Sequence, residues 1–159
     1  AAAIIGAAYP RLYVAIGVHS GVAVGDIQTL RSALTAMQGK GGARPTGKLP
    51  RQLPTIVFHG DQDKVVHPSN AGGFLHNLER AAMGPLTLRT VTGTSDGGRA
   101  FTRRVFQGRA GSALLEEWIV HGSGHGWSGG SPLGSHTDPA GPDASREMLR
   151  FFLARRRGV

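Results

Sequence analysis

Apolar and polar positions along this chain fall into blocks whose lengths separate strands from helices. Leu12-Tyr13-Val14-Ala15-Ile16-Gly17-Val18 is a nearly continuous apolar run, and Pro54-Thr55-Ile56-Val57-Phe58 is a second. Runs of that size predict strands buried on both faces. Ahead of the first lies a small-residue stretch, Ala1 to Ala8, predicted as a helix that Pro10 terminates. Asp26 is placed to cap a helix whose Leu30, Leu34 and Met37 share one face. Gly39 to Pro54 reads as a loop rich in Gly, Pro and basic residues. Pro68 marks the start of the next helix, with Phe74, Leu75 and Leu78 as its apolar stripe.

Leu86 to Val91 predicts a third strand. Ala100 to Phe106 and Leu114 to Val120 flank Gln107-Gly108-Arg109-Ala110-Gly111 and predict a hairpin. Gly122 to Gly141 is too dense in Gly, Ser and Pro for regular structure. Asp143-Ala144-Ser145-Arg146-Glu147 opens a final helix that turns Met148, Phe151 and Phe152 inward. Buried strands alternating with helices predict an α/β protein with a mainly parallel sheet and a hairpin near its C-terminal edge.

Composition narrows the function classes. The chain has 159 residues, a size for one domain, and its 40% hydrophobic content supports a real core. It has no cysteine, which excludes disulfides and thiolate metal sites. No apolar stretch reaches the roughly 18 residues a membrane span needs. The net charge of +8 raises a nucleic-acid partner. However, the basic residues are scattered apart from Arg103-Arg104 and Arg155-Arg156-Arg157, and aromatics are only 6%. Stacking and basic side chains therefore do not alternate as such a partner requires. No nucleic-acid partner is expected, and the arginines are predicted to be a solvated surface.

Two polar clusters follow apolar strands directly, where open parallel sheets place functional groups. The first is His59-Gly60-Asp61-Gln62-Asp63, leading to His67-Pro68; the second is His121-Gly122-Ser123-Gly124-His125-Gly126-Trp127. A carboxylate on a strand-end turn can orient an imidazole, and the order acid then histidine is that of the α/β-hydrolases. In such a pair the histidine is general base to a serine, and the acid fixes its tautomer. Asp61 and Asp63 lie on one turn, and spacing does not separate them. Asp61 is expected to be a turn-former bonding its own backbone, and His121 a packed strand residue. His19, His67, His76 and His136 are taken as structural. A metal held by His121 and His125 with Asp138 or His136 is disfavoured, because the glycines prevent a helical ligand pair, and no cofactor is expected. No phosphate-binding glycine loop is present.

Pro54 to Asp63, His121-Gly122-Ser123-Gly124-His125-Gly126-Trp127-Ser128-Gly129-Gly130 and Thr137-Asp138-Pro139-Ala140-Gly141-Pro142-Asp143-Ala144-Ser145 together resemble the polyhydroxybutyrate-depolymerase family of esterases. The opening, Ala7-Ala8-Tyr9-Pro10 through Gly17-Val18-His19-Ser20-Gly21, resembles the region just after that family's nucleophile elbow. The resemblance covers nearly the whole chain but only the C-terminal part of the family's catalytic domain. It implies an α/β-hydrolase fold, with Asp63 as the catalytic acid and His125 as the base. Trp127 is then a candidate wall of the substrate pocket. The implied substrates are poly- or oligo-hydroxyalkanoates, or the esters cut by feruloyl and acetylxylan esterases, and export to the periplasm or outside the cell is implied too.

The one Gly-x-Ser-x-Gly match, Gly126-Trp127-Ser128-Gly129-Gly130, is expected to be a decoy. No helix can follow Ser128, and it comes after both acid and histidine instead of before them. Residues 1–159 are therefore expected to be one incomplete hydrolase domain whose serine and oxyanion amides lie upstream, inactive alone and prone to self-association through an uncovered sheet. The competing expectation is a non-catalytic, hydrolase-like binding module.

Overall fold

The computed structural model describes residues 1–23, 35, 37–39 and 53–155. The helix expected from Asp26 through Leu30 and Leu34, and most of the loop before Pro54, lie outside these residues.

Five strands form one sheet: β1 (Ile16–His19), β2 (Thr55–Gly60), β3 (Thr87–Thr94), β4 (Ala100–Gln107) and β5 (Ala113–Val120). Their spatial order is β1-β2-β5-β4-β3. β1, β2 and β5 run parallel, while β4 and β3 are antiparallel additions. The sheet is thus mixed where a mainly parallel one was expected. The expected hairpin is β4–β5, but β5 is the central strand, and the segment read as a third strand extends it into a three-stranded meander ending at edge strand β3. Short connections favour such antiparallel neighbours over crossovers.

Helix α1 (Ala2–Ala8) and helix α2 (Ala71–Ala81) serve one face of the sheet, and α3 (Ala144–Leu153) the other. On the first face Ala3, Val18, Val57, Phe74, Leu78, Phe106 and Leu115 form the core. On the second, Ile56, Phe58, Trp118 and Val120 pack against Ala144, Met148 and Phe151. The spacing of Ala144, Met148 and Phe151 is that of one helix face. Asp143 caps α3 by accepting the Arg146 backbone N–H at 2.9 Å. Phe152, expected inward, is only partly buried. β2 is buried at every residue, as its unbroken apolar run predicts.

β5 also carries Glu116 and Glu117, both fully buried. Arg103 donates to both oxygens of Glu116 at 2.9 Å, with Trp118 Nε1 donating at 2.8 Å and Arg150 adding a further contact. Arg104 Nε donates to Glu117 at 2.7 Å. The Arg103-Arg104 pair is therefore not a solvated surface feature. It is the counter-charge for two acids inside the sheet, without which they would carry a large desolvation cost.

β1 is an edge strand of this sheet. Ile4, Ile5, Tyr9, Leu12 and Tyr13 leave apolar surface exposed beside it. No described helix is long and apolar enough to cross a membrane.

Candidate active site

The acid turn grows directly from the end of β2. Asp63 N–H closes the turn onto Gly60 O at 3.2 Å, and Asp63 Oδ1 accepts the N–H groups of Val65 and Val66, each at 2.9 Å. These bonds fix the carboxylate, leaving Oδ2 to meet His125 Nδ1 at 2.8 Å. Asp63 is only 3% exposed. Burial pushes its pKa up, but the hydrogen bonds from His125, Val66 and Val65, with a contribution from the neighbouring Ser20, outweigh burial and hold it below the ordinary carboxylate value. A carboxylate accepts only, so the His125 proton on this side sits on Nδ1. Among the described residues no partner occupies His125 Nε2, and the side chain is 38% exposed. That is the geometry of an oriented, accessible base.

The histidine loop leaves β5 along the same turn. Asp61 N–H donates to Val120 O at 3.1 Å and Gln62 N–H to Ser123 O at 3.0 Å. A Cβ on Gly60 would overlap the carbonyl oxygens of Ser123 and Gly124. Glycine at 60 is thus what lets the two loops touch backbone to backbone.

Asp61 departs from expectation. Instead of its own turn it bonds the other loop: Oδ2 accepts His121 Nδ1 at 2.9 Å and Oδ1 accepts Gly122 N–H at 2.7 Å. His121 lies just past the strand, and Thr102 Oγ1 sits 2.8 Å from its Nε2. Burial raises the Asp61 pKa, but the bonds from His121 and Gly122 leave it lowered overall.

His19, taken as structural from the sequence, is in contact with this site. Its Nε2 accepts the Ser128 N–H at 2.9 Å, and its ring stacks on Trp127 at 4.8 Å. Burial, followed by the nearby His59 and His125, lowers its pKa to about 4 despite Asp63 nearby. It is a neutral acceptor at ordinary pH, pinning the glycine-rich loop to the end of β1. His59, fully buried under the acid turn, donates Nε2–H to Val66 O at 2.8 Å. Next to His19, Ser20 has a φ of +47° and a buried hydroxyl without a hydrogen-bond partner of ordinary geometry. A positive φ on a non-glycine residue at a strand end is a strained backbone.

Trp127 is 38% exposed beside His19, with Nε1 donating to Ser145 at 3.2 Å. Ser128 is buried and its Oγ donates to Pro142 O at 2.7 Å. Neither its hydroxyl nor that of Ser123, which donates to Asp138 at 2.6 Å, reaches toward His125. Asp138 also takes Arg99 at 3.0 Å. Burial raises its pKa, but Arg99 and Ser123 bring it below the ordinary value. The metal set considered from sequence is thus dispersed: His121, His125 and Asp138 each have a protein partner. No group of three such side chains among the described residues is arranged to hold a metal.

The acid and base named from sequence are brought together, Asp61 and His121 form a second pair, and His67 and His136 stand apart from both. His67 Nδ1 meets Ser69 Oγ at 2.9 Å, and His136 Nδ1 meets Ser135 Oγ at 2.7 Å. The sequence offered one signal for His19, its place at the end of an apolar run. Comparison of the chain with protein-family models and with curated proteins finds no match.

Proposed function

We propose that Asp63 and His125 are the acid and base of a serine-type carboxylic-ester hydrolase of the polyhydroxybutyrate-depolymerase kind. The observation that carries this is His125, held at 2.8 Å by a buried, ionised Asp63 while its Nε2 has no partner among the described residues. The acid keeps the proton on Nδ1, so Nε2 can accept the proton of an attacking hydroxyl and later return it to the leaving alcohol. Asp63 stabilises the imidazolium formed between those steps without itself taking the proton. Trp127, exposed on the histidine loop and stacked on His19, forms one wall for the ester's acyl or alcohol part. Hydroxyalkanoate oligomers or polyester are the substrates this reading favours, with export to the periplasm or exterior.

No described hydroxyl hydrogen-bonds His125 Nε2, so the nucleophile comes from another segment of the protein. The exposed apolar side chains around α1 and the edge of β1, which has no strand partner among the described residues, are, on this reading, covered by that segment or by a second copy. Light scattering is expected to show association of the chain by itself; a freely soluble, compact monomer contradicts this cover.

The test is labelling with a fluorophosphonate serine-hydrolase probe, on this chain and on a form preceded by a Gly-x-Ser-x-Gly segment. Labelling of the longer form alone, lost in His125→Ala, supports the reading. Labelling of the chain by itself points to an internal serine such as Ser128. Absence of labelling in both favours a non-catalytic binding module.

A further inference from the structure

We propose that Asp61, His121 and Thr102 form a positioning clasp that sets His125 in register with Asp63, without taking part in proton transfer. The proposal rests on the preceding assignment of His125 as base. Three consecutive residues of the acid turn grip the histidine loop in order. Asp61 holds His121 Nδ1 and Gly122 N–H through its two oxygens, at 2.9 and 2.7 Å. Gln62 N–H holds Ser123 O at 3.0 Å, and Asp63 holds His125 at 2.8 Å. The stretch gripped in this way needs it. Gly122 has a φ of +71°, and a Cβ on Gly124 would meet nothing within 4 Å, so between His121 and His125 only Ser123, buried and bonded to Asp138 at 2.6 Å, fixes the backbone through a side chain. Glycine backbone carries the largest ordering entropy of any residue. A loop of this kind delivers His125 to one place only if something else anchors its root.

Thr102 explains why His121 is an anchor and not a second base. The Asp61 carboxylate requires a proton on His121 Nδ1. Thr102 Oγ1, 2.8 Å from Nε2, donates its hydroxyl proton when that nitrogen is bare and accepts when it is protonated. The ring is therefore satisfied in either charge state, and the Asp61–His121 bond survives both. Among the described residues His121 Nε2 is capped by protein and His125 Nε2 is not. Ala100 O, accepting His121 N–H at 2.9 Å, ties the same residue to β4. Among the described residues the turn, the loop and the meander meet at His121.

The experiment follows the His125 ring in the ¹⁵N-histidine-labelled chain, reading its tautomer and the solvent exchange of its Nδ1–H. An asparagine amide reproduces an imidazole Nδ1 donor, whereas a glutamine amide reaches toward the Nε2 position. His121→Asn is expected to keep the wild-type His125 tautomer and exchange. His121→Gln, with its sheet amide signals intact, is expected to speed His125 Nδ1–H exchange about tenfold, as loss of one charge-assisted bond does. Equal His125 behaviour in the two variants overturns the clasp. If either variant fails to fold, Thr102→Val serves instead, with unchanged exchange overturning the proposal and faster exchange supporting it. Asp63→Asn separates the two levels. If it leaves the His125 ring unchanged, the catalytic pair itself is refuted; if it alone changes the ring, the pair stands and the clasp does not.

Discussion

Asp61–His121 and Asp63–His125 span the same turn and the same loop with nearly equal lengths, 2.9 and 2.8 Å, yet their surroundings differ at both ends. The Asp63 side chain is fully buried, whereas that of Asp61 is 33% exposed. Asp63 fills its second oxygen with amides of its own turn, while Asp61 spends its second oxygen on the opposite loop. At the far end, Thr102 caps His121 and nothing described caps His125. An Asp–His contact alone therefore does not identify a base. The nitrogen pointing away from the acid decides, because catalysis needs it open.

Several substitutions break or sharpen this contrast. In a form that labels with the serine probe, Asp63→Asn is expected to lower ester hydrolysis about 10⁴-fold, by reversing the His125 tautomer. Asp61→Asn, acting through position alone, is expected to cost roughly tenfold. A separate effect, on stability and not on turnover, comes from β1. His19 is favoured neutral in the fold, with a pKa of about 4 against an unfolded value of 6.5. Its contribution is complete above pH 6.5 and is lost as pH falls toward 4, because the unfolded chain takes up the proton first. Summed across that window the loss is on the order of 3 kcal/mol. Urea unfolding of His19→Gln should therefore show a shallower fall in stability between pH 6.5 and 4 than the parent chain.

Gly60→Ala attacks both pairs at once by forcing the turn from the loop. Chemical denaturation is expected to show a loss of ~1–3 kcal/mol, the usual cost of an added methyl in packed space. The smallest expected change is at Trp127. Trp127→Ala should raise KM for an aromatic or aliphatic ester three- to tenfold with kcat nearly kept, as removal of an aromatic contact does.

β2 was legible as a strand buried on both faces because its apolar run is continuous, and it is buried along its whole length. The equally continuous Leu12–Val18 run misled, since Leu12 and Tyr13 are exposed and only Ile16–His19 forms a half-buried edge strand. β3 was legible as a strand but not by placement. Thr87–Thr94 is exposed at nearly every residue, so it carries no inward face to reveal its partner. Pairing across the sheet was likewise hidden. Arg103-Arg104 looks basic in sequence until the antiparallel register sets it beside Glu116 and Glu117. In the site, spacing put Asp61 and Asp63 on one turn and His121 and His125 on one loop. Which acid meets which histidine depends on contacts about sixty residues apart in the chain, and no local pattern encodes them. His19 was missed for the same reason. Its ring is an ordinary strand-end side chain until Ser128 arrives 109 residues later.

Ester hydrolysis by paired acid variants tests the central claim most directly, using a form preceded by a Gly-x-Ser-x-Gly segment and a short hydroxyalkanoate ester. Asp63→Asn should nearly abolish turnover while Asp61→Asn retains roughly a tenth of it. Equal losses, or a greater loss at Asp61, would show that His125 is not the base that Asp63 serves.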